Sequence, residues 1–270
     1  MDNLYLMRLQ KIEYEILKVV ADICEKNGIT YCLQGGTLLG AIRHNGFIPW
    51  DDDIDITMPR KDFEKFIKIC ANELPAEYYL QSYKTDKNSY KPYAKVKKNG
   101  TLFMETTDDN IPGHQGIFID IFPLDSTPNE NGRNVFIKNK ILCNVNNIMM
   151  IKAGLHKRSA IKMIIAKVLP MTSLQRIQQS LMKLAGNEED MYFASMGGTL
   201  DIVKQTFPKS TYFPPVKHKF EDGEFYIPFD ADYYLKRVYG DYMTLPPEEK
   251  RHTHNPYKII FNDGGNDFNV

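Results

Sequence analysis

Four carboxylates lie between Asp51 and Asp55, inside a segment that otherwise has the residues of a buried strand. Side chains alternate between the two faces of a strand. Asp53 and Asp55 would therefore share one face, and the isoleucines that follow them would share the other. Asp51 joins the acidic face if the strand begins that early. Because like charges this close repel each other and raise a pKa, we expect a cation to neutralise them.

A hard divalent cation with oxygen ligands, Mg²⁺ or Mn²⁺, fits this acidic face best. An EF-hand calcium loop that starts at Asp51 is excluded, because its glycine position holds Ile56 and its final glutamate position holds Asp62. A solvated acidic turn that caps the next helix is the plainer alternative. The interleaved isoleucines favour a strand, and with it a metal site made by Asp51, Asp53 and Asp55.

A pair of glycines precedes the acidic segment. Gly35, Gly36 and Thr37 follow an apolar run at residues 29–33 and come before a helix-like run at residues 38–44. Glycines let the backbone approach a ligand closely, and the free N–H groups at a helix start can bind an anion. The segment is neither a dinucleotide-binding fingerprint nor a Walker A loop. Beside an acidic strand, it is typical of a site that holds a phosphate and its metal from two sides.

The letters GGTLLG at residues 35–40 and RHNGFIPWDDDIDI at residues 43–56 closely resemble the LicD family. Members of this family are nucleotidyltransferase-fold phosphotransferases, and the fukutin-related proteins are distant relatives. They move phosphocholine, or a related alcohol phosphate, from a CDP carrier to a glycan hydroxyl. The segment at residues 233–247 is similar to the family as well. The resemblance implies a fold and a reaction class, with CDP-choline as the favoured donor.

Two later strands complete the predicted site. The stretch at residues 116–123 is apolar except for Asp120, and a charged group is rarely buried unless it is paired or binds a metal. The resemblance makes Asp120 the third carboxylate of the site. In the alternatives, Asp120 only accepts bonds from backbone N–H groups, or Asp125 takes its place. Lys95 either neutralises phosphate or lies on a solvated strand face, and the resemblance at residues 93–96 favours phosphate.

The expected site has catalytic, metal-binding and substrate-binding members. Asp53, Asp55 and Asp120 are the predicted catalytic residues, and the same three with Asp51 are the predicted metal ligands. The predicted substrate-binding residues are Gly35, Gly36, Thr37, Arg43, His44, Trp50 and Lys95. A phosphate-facing role for Arg251 or His254 is a further expectation.

The fold class expected is α+β, a nucleotidyltransferase-fold mixed sheet with flanking helices and a basic helical lobe. Periodicity predicts helices at residues 4–26, 60–72 and 231–239. Asn99 and Gly100 predict a hairpin turn between strands at residues 90–96 and 101–105. The expected division is a catalytic core at residues 1–128, the basic lobe at residues 129–200 and a segment at residues 201–270 that packs back on the core.

Composition limits the location more than the function. Lys and Arg together number 34, as do Asp and Glu, so net charge says nothing about partners. The four cysteines form no Cys-x-x-Cys pair, which predicts reduced thiols and a cytoplasmic location. No basic leader and no run near ~18 apolar residues is found, so neither a signal peptide nor a transmembrane helix is expected.

The middle of the chain has an unusual charge pattern. Residues 131–187 contain no Asp or Glu but ten Lys and Arg, and Pro170 separates two amphipathic runs. Basic amphipathic helices are typical of a protein that lies peripherally on the anionic inner face of a membrane. An anionic polymer acceptor, or a basic face that only covers the core, stays open. Nucleic acid is not expected as a partner, because no aromatic pattern interleaves the charges.

These observations predict a metal-dependent phosphotransferase. It would move phosphocholine or a related group to a hydroxyl of a glycan or lipid-linked sugar, as in teichoic acid or lipopolysaccharide modification, and release CMP. Two other classes stay open. One is an enzyme that transfers a nucleotide from an NTP to a protein, RNA or sugar phosphate. The other is a non-enzymatic scaffold that docks on membranes.

Overall fold

The structure is a computed structural model that describes residues 3–105, 113–128, 133–155, 159–183, 186–196, 201–251, 253 and 256–269. Its helices are α1 (Asn3–Lys26), α2 (Gly35–His44), α3 (Arg60–Glu73), α4 (Arg133–Lys152), α5 (Ala160–Val168), α6 (Met171–Lys183), α7 (Lys209–Tyr212) and α8 (Ala231–Tyr239). Its strands are β1 (Cys32–Leu33), β2 (Asp55–Pro59), β3 (Tyr78–Gln81), β4 (Ala94–Lys98), β5 (Leu102–Glu105), β6 (Phe118–Thr127), β7 (Tyr192–Ala194), β8 (Thr206–Pro208), β9 (Val216–Phe220), β10 (Gly223–Ile227), β11 (Pro256–Ile260) and β12 (Phe268–Asn269).

A seven-stranded mixed sheet forms the centre of the molecule. Its path is β1-β2-β6-β4-β3, with β7 and β8 added beside the far end of β6. The pair β2 and β6 is parallel, whereas β1 with β2, β4 with β6 and β3 with β4 are antiparallel. A sheet of both kinds, with helices packed against it, confirms the α+β class.

Two helices with predicted apolar stripes cover the central strands. Helix α1 buries Leu9, Ile16, Leu17 and Val20 at helical spacing and contacts β4 and β6. Helix α3 contacts β2 and β6. It buries the four residues expected from its pattern, which are Phe63, Phe66, Ile67 and Cys70. The two predicted helices are therefore confirmed within a residue at each end.

Several predicted boundaries around the site were wrong. The apolar run at residues 29–33 predicts a strand, but only Cys32 and Leu33 pair with β2. The glycines do not precede the short helix but form its first turn, since α2 begins at Gly35. The second strand is predicted at about residues 53–58 with Pro59 after it, but β2 begins at Asp55 and includes Pro59, so Asp53 lies in the segment before it.

The predicted hairpin at Asn99 and Gly100 is also wrong. Strand β4 pairs with β3 along one edge and with β6 along the other. Both of its edges are thus occupied, and β5 pairs instead with β11 in a separate three-stranded sheet. The turn therefore connects two sheets.

The later helices agree with their sequence signals. Asp230 caps α8 by accepting a hydrogen bond of 3.0 Å from the Tyr233 backbone N–H, and Gly240 follows the helix with a φ of 72°. Pro170 separates α5 from α6, as expected. All four cysteines are free thiols. Among the described residues, no helix is long and apolar enough to span a membrane. The three-part division of the chain stays a prediction.

Candidate active site

The glycines at the start of α2 make room for two carboxylates. Gly35 has a φ of +59°, which glycine adopts without strain. A Cβ atom at Gly35 would lie 3.1 Å from Oδ2 of Asp55, and one at Gly36 would lie 2.6 Å from Oδ2 of Asp51. The structure therefore brings the predicted glycine turn into direct contact with two of the predicted metal ligands.

Thr37 joins helix α2 to strand β2. Its Oγ1 accepts a hydrogen bond of 2.8 Å from the backbone N–H of Asp55. The backbone N–H of Gln34 donates to the carbonyl of that same Asp55 at 3.0 Å. The buried Thr37 hydroxyl thus fixes the backbone from which the Asp55 carboxylate projects. A contact between Thr37 and substrate stays a prediction.

Asp55 and Asp120 are neighbours across the parallel strands. They are directly paired in the register of β2 and β6, and the Asp120 backbone N–H donates to the carbonyl of Ile54 at 2.9 Å. Ile54 and Ile56 are fully buried, whereas Asp53 and Asp55 are only partly covered. This alternation places Asp53 and Asp55 on one side of the chain, as the sequence predicts.

The pKa of Asp55 is raised by its surroundings. Burial raises it most, and the charges of Asp53, Asp120 and Asp51 raise it further, while Lys95 lowers it. Four predicted metal ligands therefore act on one another through their charges. An excess of negative charge at one place favours the binding of a cation.

Lys95 lies against Asp120 from the neighbouring antiparallel strand. Its Nζ is 2.7 Å from Oδ1 of Asp120 and 3.2 Å from the ring centre of Phe118. The approach makes an ion pair but not a hydrogen bond, and this buried Oδ1 accepts no hydrogen bond from the described residues. In this arrangement Lys95 neutralises a carboxylate, whereas its predicted phosphate contact stays a prediction.

The donor set fits a hard divalent cation. Its atoms are carboxylate oxygens, and the Asp120 Oδ1 atom lacks a hydrogen-bond donor among the described residues. No three His, Cys, Asp or Glu side chains in the described part of the chain form a ready-made metal cage. The predicted Mg²⁺ or Mn²⁺ therefore stays a proposal, and its binding would need Lys95 or the carboxylates to adjust.

Asp125 is not the third carboxylate of the site. Both of its oxygens accept hydrogen bonds from Arg60, at 2.7 Å and 2.6 Å. Burial would lower the pKa of the Arg60 guanidinium, but the charge and hydrogen bond of Asp125 outweigh it and raise this pKa. Asp125 thus belongs to a structural ion pair.

Arg43, His44 and Trp50 lie together on the Asp51 side of the cluster. Nη1 of Arg43 donates to the carbonyl of Tyr242 at 2.7 Å. The His44 ring meets the Trp50 ring edge-on, with centroids 6.4 Å apart. Burial and the Arg251 charge lower the pKa of Arg43, whereas Asp51 raises it. Three predicted substrate-binding residues therefore form one patch beside the carboxylates.

Arg251 belongs to the same patch. Its guanidinium carbon lies 4.7 Å from the ring centre of Trp50, and its Nε donates to the carbonyl of Pro246 at 3.0 Å. Two guanidinium groups thus approach the acidic cluster from one side. This arrangement is suited to an anionic substrate group. His254, the other residue expected to face phosphate, lies outside the described residues.

Helix α1 contributes a buried acid that the sequence reading missed. Burial raises the pKa of Glu13 most, followed by the charges of Asp53, Asp52, Asp51 and Asp120. Its Oε2 is buried and has no hydrogen-bond partner among the described residues. The signal was present, since Glu13 interrupts the apolar stripe of α1.

Tyr239 on α8 also lies near the site, although it is not among the predicted site residues. A Cβ atom at Gly35 would lie 3.8 Å from its hydroxyl. The residue as a whole is 43% exposed, but desolvation around its hydroxyl raises the pKa of Tyr239 most, followed by the charges of Tyr234, Asp55, Asp51 and Asp53. The Tyr234 hydroxyl accepts a hydrogen bond of 3.4 Å from the Gly35 N–H. Tyr239 falls in the segment at residues 233–247 that resembles the family, but a tyrosine on an amphipathic helix is usually a core residue.

Comparison with known proteins agrees with this geometry. The family described as LicD/FKTN/FKRP, nucleotidyltransferase domain, matches residues 28–177, which is more than half of the chain. The chain belongs to this LicD family. The match contains all four predicted metal ligands, but it begins after Glu13 and ends before Tyr239 and Arg251.

Three relatives match this chain over different lengths. The lipopolysaccharide cholinephosphotransferase LicD of Haemophilus influenzae is 29% identical over 266 residues, covering 94% of this chain and 97% of the relative. An uncharacterized protein of Rickettsia prowazekii is 32% identical over 117 residues, covering 41% of this chain and 44% of the relative. Human ribitol 5-phosphate transferase FKRP is 44% identical over 48 residues, covering 18% of this chain and 10% of the relative.

Proposed function

We propose that this chain transfers a phosphorylated alcohol, with phosphocholine the first candidate, from a CDP-linked donor to a hydroxyl of a cell-surface glycan precursor. The observation that carries the proposal is the meeting of Asp55 and Asp120 across two strands, against the glycine start of α2. The near full-length relative is named a cholinephosphotransferase, and the FKRP relative a ribitol 5-phosphate transferase. Both names describe transfer of an alcohol phosphate.

Mg²⁺ or Mn²⁺ would be held by Asp53, Asp55 and Asp120, with Asp51 beside them, and would supply neutralisation of the negative charge on the donor diphosphate. The first-turn N–H groups of a helix have no carbonyl partner within that helix. The N–H of Gly36 at the start of α2 would therefore be available to donate to a phosphate oxygen. Arg43 and Arg251 lie where a second phosphate would gain from their charge.

The proposed transfer conserves atoms and charge. The oxygen of an acceptor hydroxyl attacks the phosphorus that carries the alcohol, and a new P–O bond forms. The bond from that phosphorus to the oxygen shared with CMP breaks, and CMP leaves with the electron pair. Asp120 accepts the hydroxyl proton, a general-base role that is worth ~10²–10⁴-fold. Positioning and charge stabilisation supply the rest of the rate.

The test is CMP release from CDP-choline, CDP-ethanolamine, CDP-glycerol and CDP-ribitol, each with Mg²⁺, with Mn²⁺ and with EDTA. We expect metal-dependent release from one of these donors in the presence of a glycan acceptor. The Asp53→Asn variant should lose this release. Asp22→Asn, a matched change at an exposed acid of α1, should keep it.

Pyrophosphate release from an NTP, with no CMP from any CDP donor, would identify a nucleotidyltransferase and contradict the proposal. Full activity in Asp53→Asn would contradict the assigned site. No turnover with any donor, together with no metal-dependent nucleotide binding, would favour a non-enzymatic scaffold instead. A cytoplasmic position on the inner face of the membrane is part of the same proposal.

A further inference from the structure

Helix α5 has an apolar face that the rest of the described chain leaves exposed. Ile161, Ile164 and Val168 expose 71%, 62% and 73% of their surface. Their spacing of three and four residues places them on one side of the helix. Ala166 is the helix's buried residue. The helix thus packs through a small residue and presents its large aliphatic residues outward.

Helix α4 continues this apolar surface. Ile137 and Ile141 are exposed and one turn apart, and Asn144 is the next residue on the same stripe. The Lys162 Nζ of α5 donates to Oδ1 of this Asn144 at 2.7 Å. The α4 stripe therefore adjoins α5. We call Ile137, Ile141, Ile161, Ile164 and Val168 the aliphatic face.

Basic side chains accompany the aliphatic face. Lys140 on α4 and Lys167 on α5 are exposed, and residues 131–187 contain no Asp or Glu. Aliphatic residues and lysines on one stretch of chain that contains no acidic residue complement an anionic bilayer.

We propose that the aliphatic face docks on an anionic lipid bilayer. Ile161, Ile164 and Val168 enter the boundary between headgroups and acyl chains, while Lys140 and Lys167 meet lipid phosphates. Docking needs no transmembrane helix, and the described residues contain none. It does not depend on the proposed reaction. If that reaction takes place on a lipid-linked acceptor, docking brings the site to its substrate.

The test is co-sedimentation of the full chain with two kinds of vesicle. One contains phosphatidylglycerol mixed with phosphatidylcholine, and the other contains phosphatidylcholine alone. We expect binding to the first and little to the second, with binding that weakens as salt is raised. The triple variant Ile161→Ser, Ile164→Ser, Val168→Ser should bind at least about tenfold more weakly, since three aliphatic side chains no longer leave water.

Two matched controls separate position from composition. The triple variant Leu4→Ser, Met7→Ser, Met191→Ser removes exposed apolar residues elsewhere and should bind like the unmodified chain. The double variant Lys140→Gln, Lys167→Gln should weaken binding and reduce its salt dependence. The same change at Lys11 and Lys61, which are exposed on α1 and α3, should have a smaller effect.

Three results would overturn the proposal. The first is no binding to either vesicle, and the second is equal loss in the α5 triple variant and its control. The third is a dimer of the unmodified chain in sedimentation velocity that the α5 triple variant abolishes, which would assign the face to a second copy. CMP release with a soluble acceptor should be unchanged in the α5 variant, so failure of docking and failure of the reaction are seen separately.

Discussion

Strand β6 carries a buried aspartate at each of two places, and the two lie in opposite surroundings. Both oxygens of Asp125 accept hydrogen bonds from Arg60. Oε1 of Glu64 lies 3.6 Å from Nη1 of the same Arg60. Asp120 has one lysine beside it, and its neighbour Asp55 is also close to Asp51 and Asp53. A buried carboxylate whose oxygens are all hydrogen-bonded can serve the fold alone, whereas several carboxylates close together repel one another unless cations balance their charge. The difference is what we expect between an acid that supports the fold and acids that bind a ligand.

The sharpest way to break this comparison is Asp55→Asn. We expect turnover to fall by about a thousandfold or more, because a metal and its diphosphate lose a ligand worth several kcal/mol. Stability in EDTA should be unchanged or higher at neutral pH, since the folded state raises the pKa of Asp55 and so disfavours its ionised form. CMP release and urea unfolding measure the two effects.

Metal addition gives an independent readout for that variant. Mg²⁺ should raise the unfolding midpoint of the unmodified chain, because a ligand that binds only the folded state stabilises it. The same addition should do little for Asp55→Asn. An equal rise in both would show that the metal binds elsewhere.

Asp125→Asn should do the reverse. It removes the closer of the two carboxylates beside the buried Arg60 and leaves Glu64 at 3.6 Å, and breaking a buried pair costs about 3 kcal/mol. Stability should fall by that amount in urea, while the folded fraction keeps its CMP release. If Asp125→Asn instead lost turnover at full stability, the division of β6 into a structural end and a functional end would be wrong.

A matched pair of glycines sharpens the comparison further. Gly35 and Gly28 have φ angles of +59° and +56°, so alanine at either should cost about 1 kcal/mol. A Cβ atom at Gly35 meets Asp55 at 3.1 Å, whereas nothing lies within 4 Å at Gly28. Turnover should therefore fall about tenfold only in Gly35→Ala, by displacement of the carboxylate. Equal turnover in the two variants would contradict the close approach.

The smallest effect concerns Glu64 at the structural end. Burial acts to raise its pKa, but hydrogen bonds from Lys183, Lys84 and Tyr83 lower the pKa to about 2. The ionised form is therefore stabilised by folding, and this stability is present above the ordinary value of 4.5 and is lost as pH falls toward 2.

Glu64→Gln should reduce stability at neutral pH by about 1 kcal/mol or less, because the side chain is partly exposed and solvent screens its charges. The difference from the unmodified chain should shrink below pH 4.5 and vanish near pH 2. Urea titrations across this range measure it. A constant difference at every pH would assign the effect to packing rather than charge.

The sequence was sufficient for the parts of the site that lie close together in the chain. Period-two alternation placed Asp53 and Asp55 on one side, and the resemblance to the family singled out Asp120, which pairs with Asp55 in the register of β2 and β6. Helical periodicity gave α1, α3 and α8 nearly to the residue. Each of these signals depends on a few neighbouring residues, which is the range over which periodicity carries information.

Long-range pairing was beyond the same reasoning. The Asn99 and Gly100 turn looked like a hairpin because local preference cannot show that both edges of β4 are already paired. Tyr239 reaches Gly35 from the other end of the chain, and the Asp125 pair with Arg60 joins a strand to a distant helix. Glu13 could have been recognised from the sequence, because an acidic residue in the apolar stripe of a helix requires an explanation.

The register of β2 against β6 has a consequence for folding. Asp120 lies between Ile119 and Ile121, which are fully buried, and it pairs directly with Asp55. A slip of one residue would put an isoleucine into the acidic cluster and an aspartate into the hydrocarbon interior. A chain with that error is therefore less stable, and it also lacks the pairing of Asp55 with Asp120 in the site. Mispaired molecules should therefore be targets for proteolysis, and seldom a folded but inactive population.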